Sequence, residues 1–199
     1  MQPGRSRGSY HSTVISVRFV YHSPGCDRRH FVDGADVSVV LSRLPPELWA
    51  RLRAVHFNDW WRCGRQGYTN IRSGEIALCA LPPRVSLARA LEHYRGRGGV
   101  TPGHFGAARG RQWPQVAVRR FMLYEVLLHE IGHLQVVDPS AGPRRQFARE
   151  RVAEGFANVW RRRLWSHAFD HPDPAHNPPS REELEFFGAG LPQIPEHVT

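Results

Sequence analysis

The chain has 199 residues and a formal charge of +9, with 27 basic residues against 18 acidic ones. That length allows one well-buried core with a small subdomain or tails. All the basic residues are arginine and there is no lysine, which reads as coding bias more than selection for phosphate contacts, so charge alone does not make a nucleic-acid binder. Cys26, Cys63 and Cys79 leave an odd thiol and no C-x-x-C pair, which excludes a full disulfide framework and suits a reduced compartment. No stretch approaches the roughly 18 apolar residues of a membrane span. The Arg/Ser/Gly-rich start lacks the apolar core of a secretory signal. A soluble, cytoplasmic protein with no membrane association is expected.

Residues 1–12 are polar and read as a disordered N-terminus. Residues 14–21 are β-branched and aromatic and read as a strand, followed by a loop over 22–33 and a second short strand over 37–41. Pro45 and Pro46 open an expected helix over 44–57, with Leu48, Leu52 and Val55 near a 3.6 period. Residues 60–68, with Trp60 and Trp61, read as a turn anchored on the core. Strands are expected over 69–72 and 75–81 around the Ser73-Gly74 turn, then a helix over 86–94 capped by Ser86. A Gly/Arg-rich loop spans 96–113.

Pro114 then starts a long apolar helix that Asp138-Pro139 ends. A loop over 138–145 leads to the last long helix, 147–164, with Phe147, Val152, Phe156, Val159 and Trp160 as expected core contacts. From Asp170 the chain is Pro-rich, with one short helix near 182–187. The expected organisation is a single domain over 13–168 and a C-terminal tail over 169–199. In that tail His167, Asp170, His171, Asp173 and His176 read as turn chemistry, with a second metal site or a lid as the alternative.

The long apolar helix carries His129-Glu130-Ile131-Gly132-His133, an H-E-x-x-H pentad. Residues four apart share a helix face, so both imidazoles can reach one metal ion. Glu130 is offset by one position, where its carboxylate can address water on that metal. The alternative is a pair of buried helix histidines satisfied by hydrogen bonds. Catalytic zinc needs a third protein ligand, and the candidates after His133 are Asp138, Glu150, Glu154, His167 and His171. Glu150 and Glu154 lie one turn apart, so spacing does not separate them, and both could instead form a solvent face paired with Arg149 and Arg151. Tyr124 and His104 are considered as oxyanion donors, and neither is assigned.

Glu150, Ala153, Glu154, Phe156 and Ala157, following the pentad, resemble the active-site core of compact gluzincin metallopeptidases. These include the repressor-cleaving type of phages and mobile elements and the prenyl-protein peptidases. In those families H-E-x-x-H is followed by a helix bearing E-x-x-A-D, often continued as x-F-A. The resemblance covers about residues 115–165. It implies an α+β, zincin-like fold, with a small mixed sheet packed on two main helices that share a metal site. It further implies Zn²⁺ held by His129, His133 and Glu150, Glu130 as general base, and a peptide or protein substrate. Glu154 takes the place of the family aspartate, oriented toward a ligand histidine, with Glu154 as ligand and Asn158 as its partner the other register. Zincins also pair an extended peptide with an edge strand, and residues 73–78 are the segment expected there. The sequence also admits two other readings: a non-catalytic zincin-fold module, and a DNA-associated metalloprotease using the Arg-rich segment 96–112.

Overall fold

Asp33 and Asp36 set the first helix. The Asp33 carboxylate accepts from the Asp36 backbone N–H at 3.0 Å, and the Asp36 carboxylate accepts from the Asp33 N–H at 3.2 Å. This reciprocal cap satisfies two otherwise orphaned donors and starts α1, Gly34–Ser42. Val37, Val40 and Leu41 fall on its buried face. The strand expected over 37–41 is therefore a helix. Its valines suit a strand, but the cap and their three- and four-residue spacing decide. A computed structural model describes residues 16–25, 27–59, 66–83, 100–107, 112–136, 143–166 and 170–186.

Four strands form one sheet in the order β1-β2-β4-β3: β1 Arg18–Tyr21, β2 Ala54–Asn58, β3 Gly67–Asn70 and β4 Glu75–Cys79. β1 and β4 flank β2 in parallel, and β3 closes one edge antiparallel to β4. The helix expected over 44–57 is replaced by a 3₁₀ turn, Pro46–Leu48, and by β2. Val55 and Phe57 alternate with His56, and the parallel partners on both sides give β2 a ladder that a helix there would forgo.

The β3–β4 hairpin is tight. The Asn70 side chain accepts from the backbone of Arg72 and Ser73 at 3.1 and 3.3 Å. Gly74 has φ +72°, and a Cβ there would stand 2.1 Å from the Arg51 carbonyl oxygen, so only glycine fits. β4 is paired on both sides, so the segment 73–78 is not an edge strand; among the described residues β3 is the edge beside it.

One apolar core joins Val55, Phe57, Ile76 and Leu78 of the sheet to Val37, Val40 and Leu41 and to Phe121, Leu123, Val126, Leu127 and Leu128. The last five lie on a continuous helical run: α2 Gln115–Phe121, a π-helical stretch Met122–Leu127, and α3 Leu128–His133. Arg51 ties its end down, donating to the carbonyls of Leu134 at 2.7 Å and Val136 at 3.1 Å. The final long helix, α4, is Pro143–Ser166.

Residues 170–186 lie against α2, and end in α5, Arg181–Phe186. Arg119 donates to both Asp36 and Asp173 at 2.6 Å. Buried Arg120 donates to the carbonyls of Pro174 and Asn177 and to the Glu183 carboxylate. The expected helix over 86–94, the tryptophan pair, residues 96–99 and 108–111 of the Arg-rich loop and residues 1–12 lie outside the described residues. No described helix is long and apolar enough to cross a membrane.

Candidate metal centre

The site begins with a close helix crossing. Gly132, inside the pentad, has no side chain where α4 passes; a Cβ there would lie 2.7 Å from Ala153 Cα and 3.0 Å from Phe156 Cβ. Small residues on both helices let the backbones approach. Accordingly the inward face of α4 is Ala153, Glu154, Ala157, Arg161 and Leu164, all buried. Phe147, Val152 and Val159, expected in the core, are instead exposed. The crossing leaves no room for large side chains, so the helix is turned with its acidic and small residues inward. Phe156 and Trp160 are partly buried against the core, as expected.

That rotation brings Glu150 to the histidines. Glu150 Oε2 lies 3.3 Å from His129 Nε2, and Oε1 lies 3.7 Å from His133 Nε2. The two imidazoles meet edge to face with centroids 4.8 Å apart. One ligand atom from each of His129, His133 and Glu150 falls within 4.8 Å of the others. Glu154 is buried one turn along and lies outside this trio; its charge acts on Glu125.

Glu130 is buried, and edge strand β3 packs on it. Thr69 Oγ1 is 2.6 Å from Glu130 Oε2 and 3.0 Å from the Glu130 carbonyl oxygen. A Cβ on Gly67 would come within 2.8 Å of Glu130 Oε1 and 2.7 Å of Val126 Cγ1. Neither Gly67 nor Thr69 is flagged by the sequence, because each meets Glu130 only through the placement of β3. Glu125 was also missed, although it stands one turn before His129 on the same helical run. It is buried and ion-paired with buried Arg161, whose other nitrogen reaches Asn158.

Electrostatics separate the two histidines. Burial pulls the His129 pKa down, but the hydrogen bond with Glu150 and the fields of Glu130, Glu150 and Glu125 outweigh it and hold the ring above its ordinary value. Burial and repulsion from His129 push His133 down to about 4. Of the two rings, His129, which faces the Glu150 carboxylate, therefore has the higher proton affinity.

The donor set fits a first-row divalent cation. Two imidazole nitrogens and a carboxylate are ligands that zinc accepts, and donors about 2.1 Å from one ion at a tetrahedral angle stand about 3.4 Å apart. The separations of 3.3 and 3.7 Å approach that value. A cation would also compensate the inward acidic groups, which are costly to bury alone.

The other candidates lie elsewhere. Tyr124 is buried, with its hydroxyl 3.0 Å from both the His176 carbonyl and Arg43 Nη1, and burial pushes its pKa up to about 12. His104 caps the Pro102–Phe105 3₁₀ turn through Thr101. In the tail, Asp173 caps Pro174–His176 and His171 accepts from the Asp173 N–H at 3.0 Å, which is turn chemistry. Asp36, Asp173 and His176 also converge, but Arg119 already supplies the cation between the carboxylates. Asp138 and His167 lie outside the described residues. Compared with protein-family models, with curated proteins and with solved structures, the chain matches none.

Proposed function

We propose that this protein is a zinc-dependent metallopeptidase of gluzincin type. One observation carries the reading: an H-E-x-x-H helix and a second helix converge so that ligand atoms of His129, His133 and Glu150 lie within 4.8 Å of one another, with Glu130 buried and its field acting on His129. The zincin-like fold that the pentad and the Glu150–Ala157 segment suggest is supported by a mixed sheet whose antiparallel edge strand runs over the pentad helix.

In this reading His129, His133 and Glu150 hold the metal. Bound there, zinc supplies Lewis acidity, acidifying water and polarising a carbonyl. Glu130 takes the proton from the attacking water and passes it to the leaving amine. The extended substrate pairs with β3, whose second edge carries no strand among the described residues, in place of the segment 73–78. Glu154 contributes through its field inside α4 and does not act as third ligand. Zinc, a peptide or protein substrate and a cytoplasmic location belong to this reading together.

The test is cleavage of a proteome-derived peptide mixture read by mass spectrometry. Zinc-loaded wild type should produce new termini that Glu130→Gln abolishes while keeping its zinc. Termini that persist in Glu130→Gln, or none in wild type, would contradict a peptidase.

A further inference from the structure

The burial of β3 alternates: Gly67 and Thr69 are partly covered, whereas Tyr68 and Asn70 are exposed. The two covered residues are the two that meet Glu130. Gly67 removes the side chain that would collide with Oε1, and Thr69 places a hydroxyl 2.6 Å from Oε2. At 3.0 Å, the Glu130 carbonyl is the more distant acceptor, and a hydroxyl favours an ionised carboxylate over a neutral oxygen. Glutamate has several rotatable bonds, so a base on this side chain works only when something fixes its rotamer. The bond to Oε2 fixes the plane in which the carboxylate presents its lone pairs.

We propose that Thr69, seated by Gly67, is a positioning residue for Glu130: its hydroxyl holds the carboxylate in the orientation in which it receives a proton at the metal centre. This deepens the metallopeptidase reading and rests on it. Packing alone would be served equally by valine, which has the shape of threonine and suits a strand at least as well. The hydroxyl is therefore the part of Thr69 that tells positioning from packing.

The experiment uses the full chain loaded with Co²⁺, whose visible absorption reports ligands entering at the metal. Two probes are titrated. Acetohydroxamate chelates through two oxygens and shares its proton with a neighbouring base; azide binds the metal alone. Wild type, Thr69→Val, Thr69→Ser and Glu130→Gln are compared. Thr69→Val and Glu130→Gln should each weaken acetohydroxamate by about tenfold, the lower end of what a hydrogen bond to a charged group contributes. Azide affinity and cobalt content should not change, and Thr69→Ser should bind acetohydroxamate like wild type.

Wild-type acetohydroxamate affinity in Thr69→Val, with the loss confined to Glu130→Gln, would overturn the proposal and leave the metallopeptidase reading standing. Equal losses in Thr69→Ser and Thr69→Val would reduce Thr69 to packing. A wild type that takes up no cobalt, or a Glu130→Gln that changes nothing, would remove the reading itself, and this role of Thr69 with it.

Discussion

Glu125 shows how much one buried side chain near the site matters. Burial pushes its carboxyl pKa up, and Arg161 and His129 pull against that. Arg161 is itself buried, and burial draws its guanidinium down. Each therefore offsets the cost of burying the other's charge. Glu125→Gln should destabilise the protein by about 3–5 kcal/mol, because it leaves a buried guanidinium uncompensated. Urea unfolding checks this, and a loss below about 1 kcal/mol would mean that the pair is not held as described. The spacing of Glu125 from His129 is visible in the sequence, but its importance is not. Its partner Arg161 lies 36 residues away on another helix.

At the scale of elements, the packing of α3 on α4 decides the geometry of the site. Gly132→Val should force the helices apart, since even a Cβ would sit 2.7 Å from Ala153 Cα. Overpacking of this kind costs about 1–3 kcal/mol, and here it should also weaken zinc binding by moving Glu150 away from the histidines. Zinc affinity and thermal unfolding measured on one preparation would show both; full zinc affinity would contradict the role given to the crossing. Val152→Gln and Val159→Gln should change stability by no more than about 0.5 kcal/mol, as surface substitutions do. The sequence suggested the opposite for these two valines. Large apolar residues ordinarily face inward, but contact at Gly132 admits only small ones. The pentad and the Glu150–Ala157 spacing were readable because helical periodicity is local. Helix α1 could have been read from Asp33 and Asp36, had the valine run not suggested a strand. Thr69 could not, since it is 61 residues from Glu130 in the chain.

For the whole molecule, composition set residues 169–199 apart as a tail, and the described part of it is bound to the domain by charge. The Asp36 pKa is raised by burial but brought below its ordinary value by His176 and Arg119. Bonding to Arg119 holds Asp173 low as well. Glu183 is likewise raised by burial and lowered further by Arg120 and Ser180. Folded carboxyls with depressed pKa values contribute stability above their unfolded values, about 3.9 for Asp and 4.3 for Glu. They lose it as pH falls through the folded values. Amide hydrogen exchange, corrected for the intrinsic effect of pH, should therefore show residues 174–186 protected at pH 7 and progressively less protected as pH falls below about 4. Release above pH 6 would point to a different latch. Pro-rich composition describes how such a segment starts and turns, and it does not show which arginines of another helix will hold it.

The central claim is that two helices share one metal. Metal content by plasma mass spectrometry, on wild type, His129→Ala, Glu150→Ala and Glu154→Ala, tests it most directly. About one zinc per chain is expected in wild type, lost in His129→Ala and Glu150→Ala and kept in Glu154→Ala. A folded wild type that takes up no zinc when reconstituted, or a Glu150→Ala that keeps it while Glu154→Ala does not, would contradict the account.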